Sequence, residues 1–217
     1  MSRLIKDIKT WELIILWQLQ KLLMQRENKL TGQKKYARND WTRPMIQFIY
    51  MNYDRRELKG VEIGVAGGGN AFSMMNMLPM EKLYLVDPFS YLMYPETGYT
   101  DSNQLQFEEC MEGAIKLLSP FGNKVEFIRK TSDDAAVDVP DGLDFVYIDG
   151  NHTLDYVRRD LEKWYPKVKK GGIFGGDNFE SQLPDVARAV LEFTDKNNLK
   201  IYGGRSEVSY EWWVIKN

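Results

Sequence analysis

The chain has 217 residues, of which 43% are hydrophobic, 28% charged and 13% aromatic; this suits one domain with an appendage and excludes disordered, collagen-like and low-complexity classes. A formal net charge of -2 supplies no overall positive field, so a nucleic-acid partner is not expected unless a local patch provides one. The single cysteine, Cys110, excludes an internal disulfide and any cysteine-built zinc or iron–sulfur site, and with it goes the expectation of a reducing, cytoplasmic setting.

From Leu4 to Leu30, Leu4, Ile5, Ile8, Trp11, Ile15, Leu19, Leu22 and Leu23 recur at steps of three or four, the spacing of one helix face. The pattern predicts an N-terminal helical arm that packs on the main domain or joins a second copy into a homo-oligomer. Its densest apolar stretch, Leu13 to Trp17, is too short to cross a bilayer and is not followed by a cleavage site, so neither a membrane segment nor a signal peptide is expected. Lys21 to Lys59 carries ten Lys or Arg against four Asp or Glu. That stretch reads either as an exposed helix and loop surface or as a face for an anionic ligand, RNA included.

After Gly60 the texture changes, which divides the chain into a lead-in over 1–59 and a main domain over 60–217. Short apolar runs at Val61–Val65, Leu83–Val86, Val125–Ile128, Leu143–Ile148 and Ile173–Gly175 alternate with helical patterns at Ala71–Leu78, Gln104–Leu118, Ser132–Val137 and Leu154–Val168. Such alternation predicts an α/β fold of the doubly wound, Rossmann-like kind, with a mostly parallel sheet covered on both faces. A helix at Val186–Asn197 and strands at Leu199–Gly203 and Tyr210–Lys216 complete seven strands, the last two close enough for a hairpin that makes an edge strand antiparallel. Trp212 and Trp213 alternate faces, so one of them is expected in the core.

Ligands of open parallel sheets sit beyond the carboxyl ends of the strands. The first strand runs into Glu62-Ile63-Gly64-Val65-Ala66-Gly67-Gly68-Gly69-Asn70, a turn whose glycines let a ligand approach the main chain. No register supplies glycines at relative positions one, three and six, which disfavours a dinucleotide. The second strand ends at Asp87, where a carboxylate can take both hydroxyls of a ribose. Glu62, an acid inside the first strand, suits a ligand bringing an ammonium group; the alternative is a carboxylate that caps the turn's own amides.

With these residues the stretch from about Gly60 to Asn217 resembles the class I S-adenosylmethionine-dependent methyltransferases. The resemblance implies that Gly64, Gly67 and Gly68 wrap the methionine part, that Asn70 holds its carboxylate, that Asp87 binds the ribose, and that Ser132 and Asp133 lie against the adenine. Ala66 departs from the glycine commoner at its position.

The fourth strand ends in Asp149-Gly150-Asn151-His152 and the fifth in Gly176-Asp177-Asn178. If the strands are neighbours, Asp149, Asp177 and Asn178 offer two carboxylates and one amide oxygen to one point, a set of hard ligands that suits Mg²⁺; the alternative is that both aspartates cap the helices that follow. The pattern looks like the metal-dependent O-methyltransferases, in particular the branch that includes macrolide sugar and catechol methyltransferases. That resemblance implies Mg²⁺ on Asp149, Asp177 and Asn178, with Asp149 shared by metal and cofactor, and makes His152, the chain's only histidine, the base that takes the proton of a substrate hydroxyl. Neutral imidazole can accept a proton near pH 7. The expected activity is O-methylation of a small hydroxylated molecule such as a sugar or polyol; a metal-independent methyltransferase and a cofactor-binding protein that holds RNA are the alternatives. Pro88 to Asn103, with Phe89, Tyr91, Tyr94 and Tyr99, reads either as an aromatic lid or as ordinary packing.

Overall fold

The computed structural model describes residues 43–52, 57–93, 100–180, 183–205 and 210–217. The expected arm, Leu4 to Leu30, lies outside them, as do Tyr94 and Tyr99 of the aromatic loop. In chain order the elements are α1 (Pro44–Asn52), β1 (Leu58–Ile63), α2 (Gly69–Met77), β2 (Met80–Val86), α3 (Gln104–Leu118), β3 (Val125–Ile128), α4 (Ser132–Ala135), β4 (Leu143–Ile148), α5 (Leu154–Trp164), β5 (Val168–Gly176), α6 (Pro184–Lys196), β6 (Tyr202–Arg205) and β7 (Tyr210–Ile215), with short 3₁₀ turns between some of them. No helix among the described residues is long and apolar enough to cross a membrane.

The strands form one sheet in the order β3-β2-β1-β4-β5-β7-β6. β1 to β5 are mutually parallel, whereas β7 runs against both of its neighbours, so the edge strand β6 is antiparallel to the strand it pairs with. The chain moves outward from β1 to β3 and then returns to the other side of β1 as β4. This reversal opens a crevice at the carboxyl ends of β1 and β4, where ligands bind in open α/β sheets.

Central position explains the composition of β4, whose six residues Leu143 to Ile148 are all buried, as expected of a strand covered on both faces. Its register depends on a small neighbour: a Cβ on Gly60 of β1 would lie 2.2 Å from the Phe145 ring. On one face α5 presents Val157, Leu161 and Trp164 to the sheet, and α6 presents Val186, Ala189, Val190 and Phe193; burying each large apolar side chain contributes about 1.5–3 kcal/mol. The pattern that predicts a helix to Val168 is cut short at Trp164, because Pro166 follows and the chain tightens into a 3₁₀ turn.

The lead-in also folds against the sheet. α1 buries Met45, Ile46 and Ile49 and lies in the same compact unit, Thr42–Asn217, as the strands. Its Phe48 ring stands 5.2 Å from that of Trp213, which also stacks on Tyr202. Both tryptophans of β7 are therefore buried, Trp212 at 1% and Trp213 at 6% exposure, where strand alternation alone assigns one to the core. Over β6 and β7 the second face is covered by α1, a helix that the alternation does not announce.

Candidate active site

The turn after β1 is fixed by a close approach. Gly64 has φ +84, and a Cβ there would lie 1.9 Å from the main-chain oxygen of Asp149, so only glycine fits. Asp149 N donates to Ile63 O at 2.7 Å, and Gly64 N to Val86 O at 2.8 Å, which ties the ends of β1, β2 and β4 together. Val65 N and Ala66 N then donate to Asp87 Oδ2 at 2.8 and 3.0 Å, and Phe89 N to Asp87 Oδ1 at 2.7 Å. A carboxylate has about four lone-pair sites, so the three amides leave Asp87 room for roughly one further donor. Gly68, φ +76, opens α2, and Ala66 adopts φ +45, a left-handed conformation that penalises any residue with a Cβ.

Glu62 lies just before this turn, 1% exposed. Asn70 Nδ2, in the first turn of α2, donates to Glu62 Oε1 at 2.8 Å, while Glu62 Oε2 and Asn70 Oδ1 are buried without a hydrogen-bond partner. Burial pushes the Glu62 carboxyl up to about 8, against the opposing effect of the Asn70 hydrogen bond. Such an orphaned carboxylate oxygen is costly unless a ligand supplies the missing donor.

A cavity of about 160 Å³ opens beside the turn, lined among others by Gly64, Asp87, Ser132, Asp133, Gly150, Asn151 and Asp160. Ser132 Oγ accepts from Trp164 Nε1 at 2.7 Å and donates to Asp160 Oδ1. Burial pushes the Asp160 carboxyl up to about 7. Asp133 is turned toward the rim, where it pairs with Arg159 and Lys163 at 3.2 and 3.1 Å. Asn151 Nδ2 donates to Met93 O at 2.5 Å, which fastens the beginning of the aromatic loop to the end of β4. Phe89, buried at 1% exposure with φ +48, packs there rather than lining a free flap.

The ends of β4 and β5 are neighbours, since Ile148 pairs with Gly176 and Asp177 N donates to Ile148 O at 3.0 Å. His152 Nε2 lies 3.6 Å from Asp149 Oδ1, too far for a hydrogen bond, and is itself buried without a partner. On the other side Asp177 Oδ2 accepts from Arg43 Nη1. Its Oδ1 accepts from Asn178 N at 2.7 Å and Tyr210 N at 3.2 Å. The same Arg43 nitrogen reaches Tyr147 Oη at 2.8 Å and Glu211 Oε1 at 3.4 Å, and Tyr147 donates to Glu211 Oε1 at 2.6 Å. Burial raises the Glu211 carboxyl and holds the Tyr147 phenol well above its ordinary range. Burial opposes the Arg43 charge, but Tyr147, Asp177 and Glu211 outweigh it, so the guanidinium stays charged.

Residues 61–179, more than half of the chain, match the model of a family described as "Methyltransferase domain". The chain belongs to this methyltransferase family. Its residues 61–179 are a methyltransferase domain. An uncharacterized protein of Acanthamoeba polyphaga mimivirus is 27% identical over 153 residues, which cover 67% of this chain and 63% of that protein; the methyltransferase thus spans a little under two thirds of that relative's length. Among solved structures, an O-methyltransferase from Bacillus cereus in complex with SAH superposes with a TM-score of 0.58 at 11% identity, over 90% of both chains. An rRNA methylase from Streptococcus thermophilus gives 0.56 at 13% identity, over 79% of this chain and 93% of that one. These likenesses bear on the fold.

Of the residues singled out by sequence, Glu62, Gly64, Gly68, Asn70 and Asp87 meet at one turn, Ser132 and Asp133 line the adjoining cavity, and Gly67 has open space around it. Asp149 and His152 stand side by side. The expected Mg²⁺ cage of Asp149, Asp177 and Asn178 does not fit this arrangement, because the Arg43 guanidinium sits on Asp177 Oδ2, where its positive charge opposes a divalent ion, and Asp177 Oδ1 accepts two main-chain N–H groups. Among the described residues no group of three or more His, Cys, Asp or Glu is placed to hold a metal ion. Sequence reasoning missed Asp160, Arg43, Tyr147 and Glu211. Glu211, a charged residue in the apolar run of β7, carried a legible signal, since a buried charge demands a partner; Arg43 carried none beyond lying in the basic stretch.

Proposed function

We propose that this methyltransferase methylates a hydroxyl of a small molecule, such as a sugar or polyol, with His152 as the general base. The donor's ammonium group would be held by Glu62 Oε2 and its carboxylate end by Asn70 and the turn amide of Gly67. One ribose hydroxyl would go to the lone pair left on Asp87, and the adenine to the Ser132, Asp133 and Asp160 end of the cavity. When bound, S-adenosylmethionine supplies a methyl group on a positively charged sulfur. The protein's part is to place an oxygen nucleophile in line with that methyl and to take its proton.

His152 Nε2 is the group that carries this reading, being the buried, unpartnered imidazole nitrogen at the mouth of β4. Asp149 Oδ1 stands beside it at 3.6 Å, and general-base catalysis of the proposed kind contributes roughly 10²–10⁴ in rate. Glu62, Asp87 and Asp149 also gather carboxyls at this edge, which favours a ligand carrying positive charge. The test measures S-adenosylhomocysteine release across a panel of glycosides, polyols and phenols. His152→Ala is expected to keep S-adenosylhomocysteine affinity within about twofold while turnover falls about 10²–10⁴-fold. Full turnover in that variant at neutral pH, or labelled methyl recovered only in RNA, would overturn the assignment.

A further inference from the structure

The strand-end carboxylates already have a cation. Arg43 Nη1 donates to Asp177 Oδ2 and to Tyr147 Oη, and lies 3.4 Å from Glu211 Oε1; Asp149 is within its electrostatic reach. The arginine is not a stray surface side chain. It immediately precedes α1, whose Met45 and Ile46 are fully buried, and the main-chain N–H of Met45 donates to Glu211 Oε2 at 2.6 Å. Packing of α1 therefore sets the guanidinium at the carboxyl ends of β4, β5 and the start of β7. A guanidinium cannot be deprotonated in a protein, so a fixed positive charge stands at Asp177 Oδ2 and repels a divalent cation there, while Asp177 Oδ1 already accepts two main-chain N–H groups.

We propose that Arg43 is the standing countercharge of this site, holding Asp177, Tyr147 and Glu211 where the sequence resemblance puts a divalent ion, so that the protein takes up Mg²⁺ or Mn²⁺ there only when the Arg43 charge is removed. The inference rests on the reading of this edge as the methyl-transfer site. It deepens that reading by making the guanidinium, rather than a metal, what organises the β4 and β5 ends. Arg43 is thus a positioning residue, whose loss removes the N–H donor from Asp177 Oδ2 and the positive charge beside Glu211 Oε1 and Asp149.

The test is Mn²⁺ binding to the full-length, chelator-treated protein, read from the loss of the free Mn²⁺ electron paramagnetic resonance signal, with S-adenosylhomocysteine binding measured by calorimetry on the same sample. The wild-type protein is expected to bind no Mn²⁺ stoichiometrically up to 1 mM on the order set by weak carboxylate sites. Arg43→Ala, and Arg43→Gln, which removes the charge but keeps a shorter polar side chain, are each expected to gain one Mn²⁺ site about tenfold or more tighter, and a further Asp177→Asn change removes it. A merely structural role for Arg43 would lower stability in these variants without creating a metal site. Stoichiometric Mn²⁺ uptake by the wild-type protein that Asp177→Asn abolishes would overturn the inference, as would folded Arg43 variants as inert to Mn²⁺ as the wild type. Loss of S-adenosylhomocysteine binding in the wild-type sample would instead count against the cofactor reading, so the two failures are distinguishable.

Discussion

Glu62→Gln gives the sharpest test of the cofactor site, because the structure gives its carboxyl an unusual proton affinity and one empty hydrogen-bonding position. The folded carboxyl titrates at about 8 against an ordinary 4.5, so at pH 7 roughly nine molecules in ten carry the proton. An ammonium ligand needs the ionised form. Binding should therefore release a proton below pH 8, and the affinity for S-adenosylhomocysteine should rise about 50-fold between pH 6 and pH 8 and then level off. In Glu62→Gln the side-chain oxygen facing Asn70 is kept while the charge is lost. Its affinity at pH 8 should fall about 10–100-fold, the magnitude of a hydrogen bond to a charged group, with little pH dependence left.

Calorimetry at pH 6, 7, 8 and 9, repeated in two buffers of different ionisation enthalpy, reads both the affinity and the released proton. The same carboxyl sets a stability slope without ligand. Its folded value lies above its unfolded value, so its contribution is fully present below pH 4.5 and declines as pH rises toward 8, a loss of about 3 kcal/mol by pH 7. Glu62→Gln should flatten that slope in urea unfolding. A wild-type affinity that is flat from pH 6 to pH 8 with no proton release would refute the reasoning, since it would mean that Glu62 does not ionise to meet the ligand.

Further outcomes follow from the turn itself. Gly64→Ala should destabilise the protein by more than about 3 kcal/mol or prevent folding, because its Cβ has no space against Asp149 O; soluble expression and urea midpoint check it. Ala66→Gly should stabilise by about 0.5–1 kcal/mol, since it relieves the left-handed strain at φ +45, and a lowered urea midpoint would contradict this. Asp87→Ala strands three buried or half-buried main-chain N–H groups, so a loss of about 3 kcal/mol or more is expected, with Asp87→Asn retaining part of it; differential unfolding of the two variants is the check.

The sheet was legible because its strands are continuous apolar runs broken by glycine and helical periodicity, and β3 and β4 match their sequence bounds at both ends. The turn was legible because Gly64 answers a steric demand that only one residue type can meet. Other features depend on long-range packing that no local pattern encodes. Arg43 and Asp177 are 134 positions apart, as are no two members of any motif in the chain. Asp160 reads as a polar position on the amphipathic helix α5, yet it faces the cavity because Ser132 and Trp164 converge on the same point. Asp149 and Asp177 stand at adjoining strand ends as the sequence implies, whereas the cation on Asp177 comes from Arg43, ahead of α1, which no local pattern announces.

Glu62 and Glu211 are the most buried acids in the described strands, and the contrast between them separates structural from ligand-directed burial. Glu211 in β7 and Glu62 in β1 are each about 1% exposed, and burying an ionisable carboxyl is unfavourable for both. Glu211 has its compensation within the fold: Met45 N, Tyr147 Oη and Arg43 all serve it. Glu62 has Asn70 on one oxygen and no partner on the other. If burial of Glu62 were only structural, selection for stability would favour an apolar residue or a second donor, since a half-satisfied buried polar pair is worse than either. An acid kept in this state beside a glycine turn supports the proposal that its second oxygen meets the ammonium group of the methyl donor.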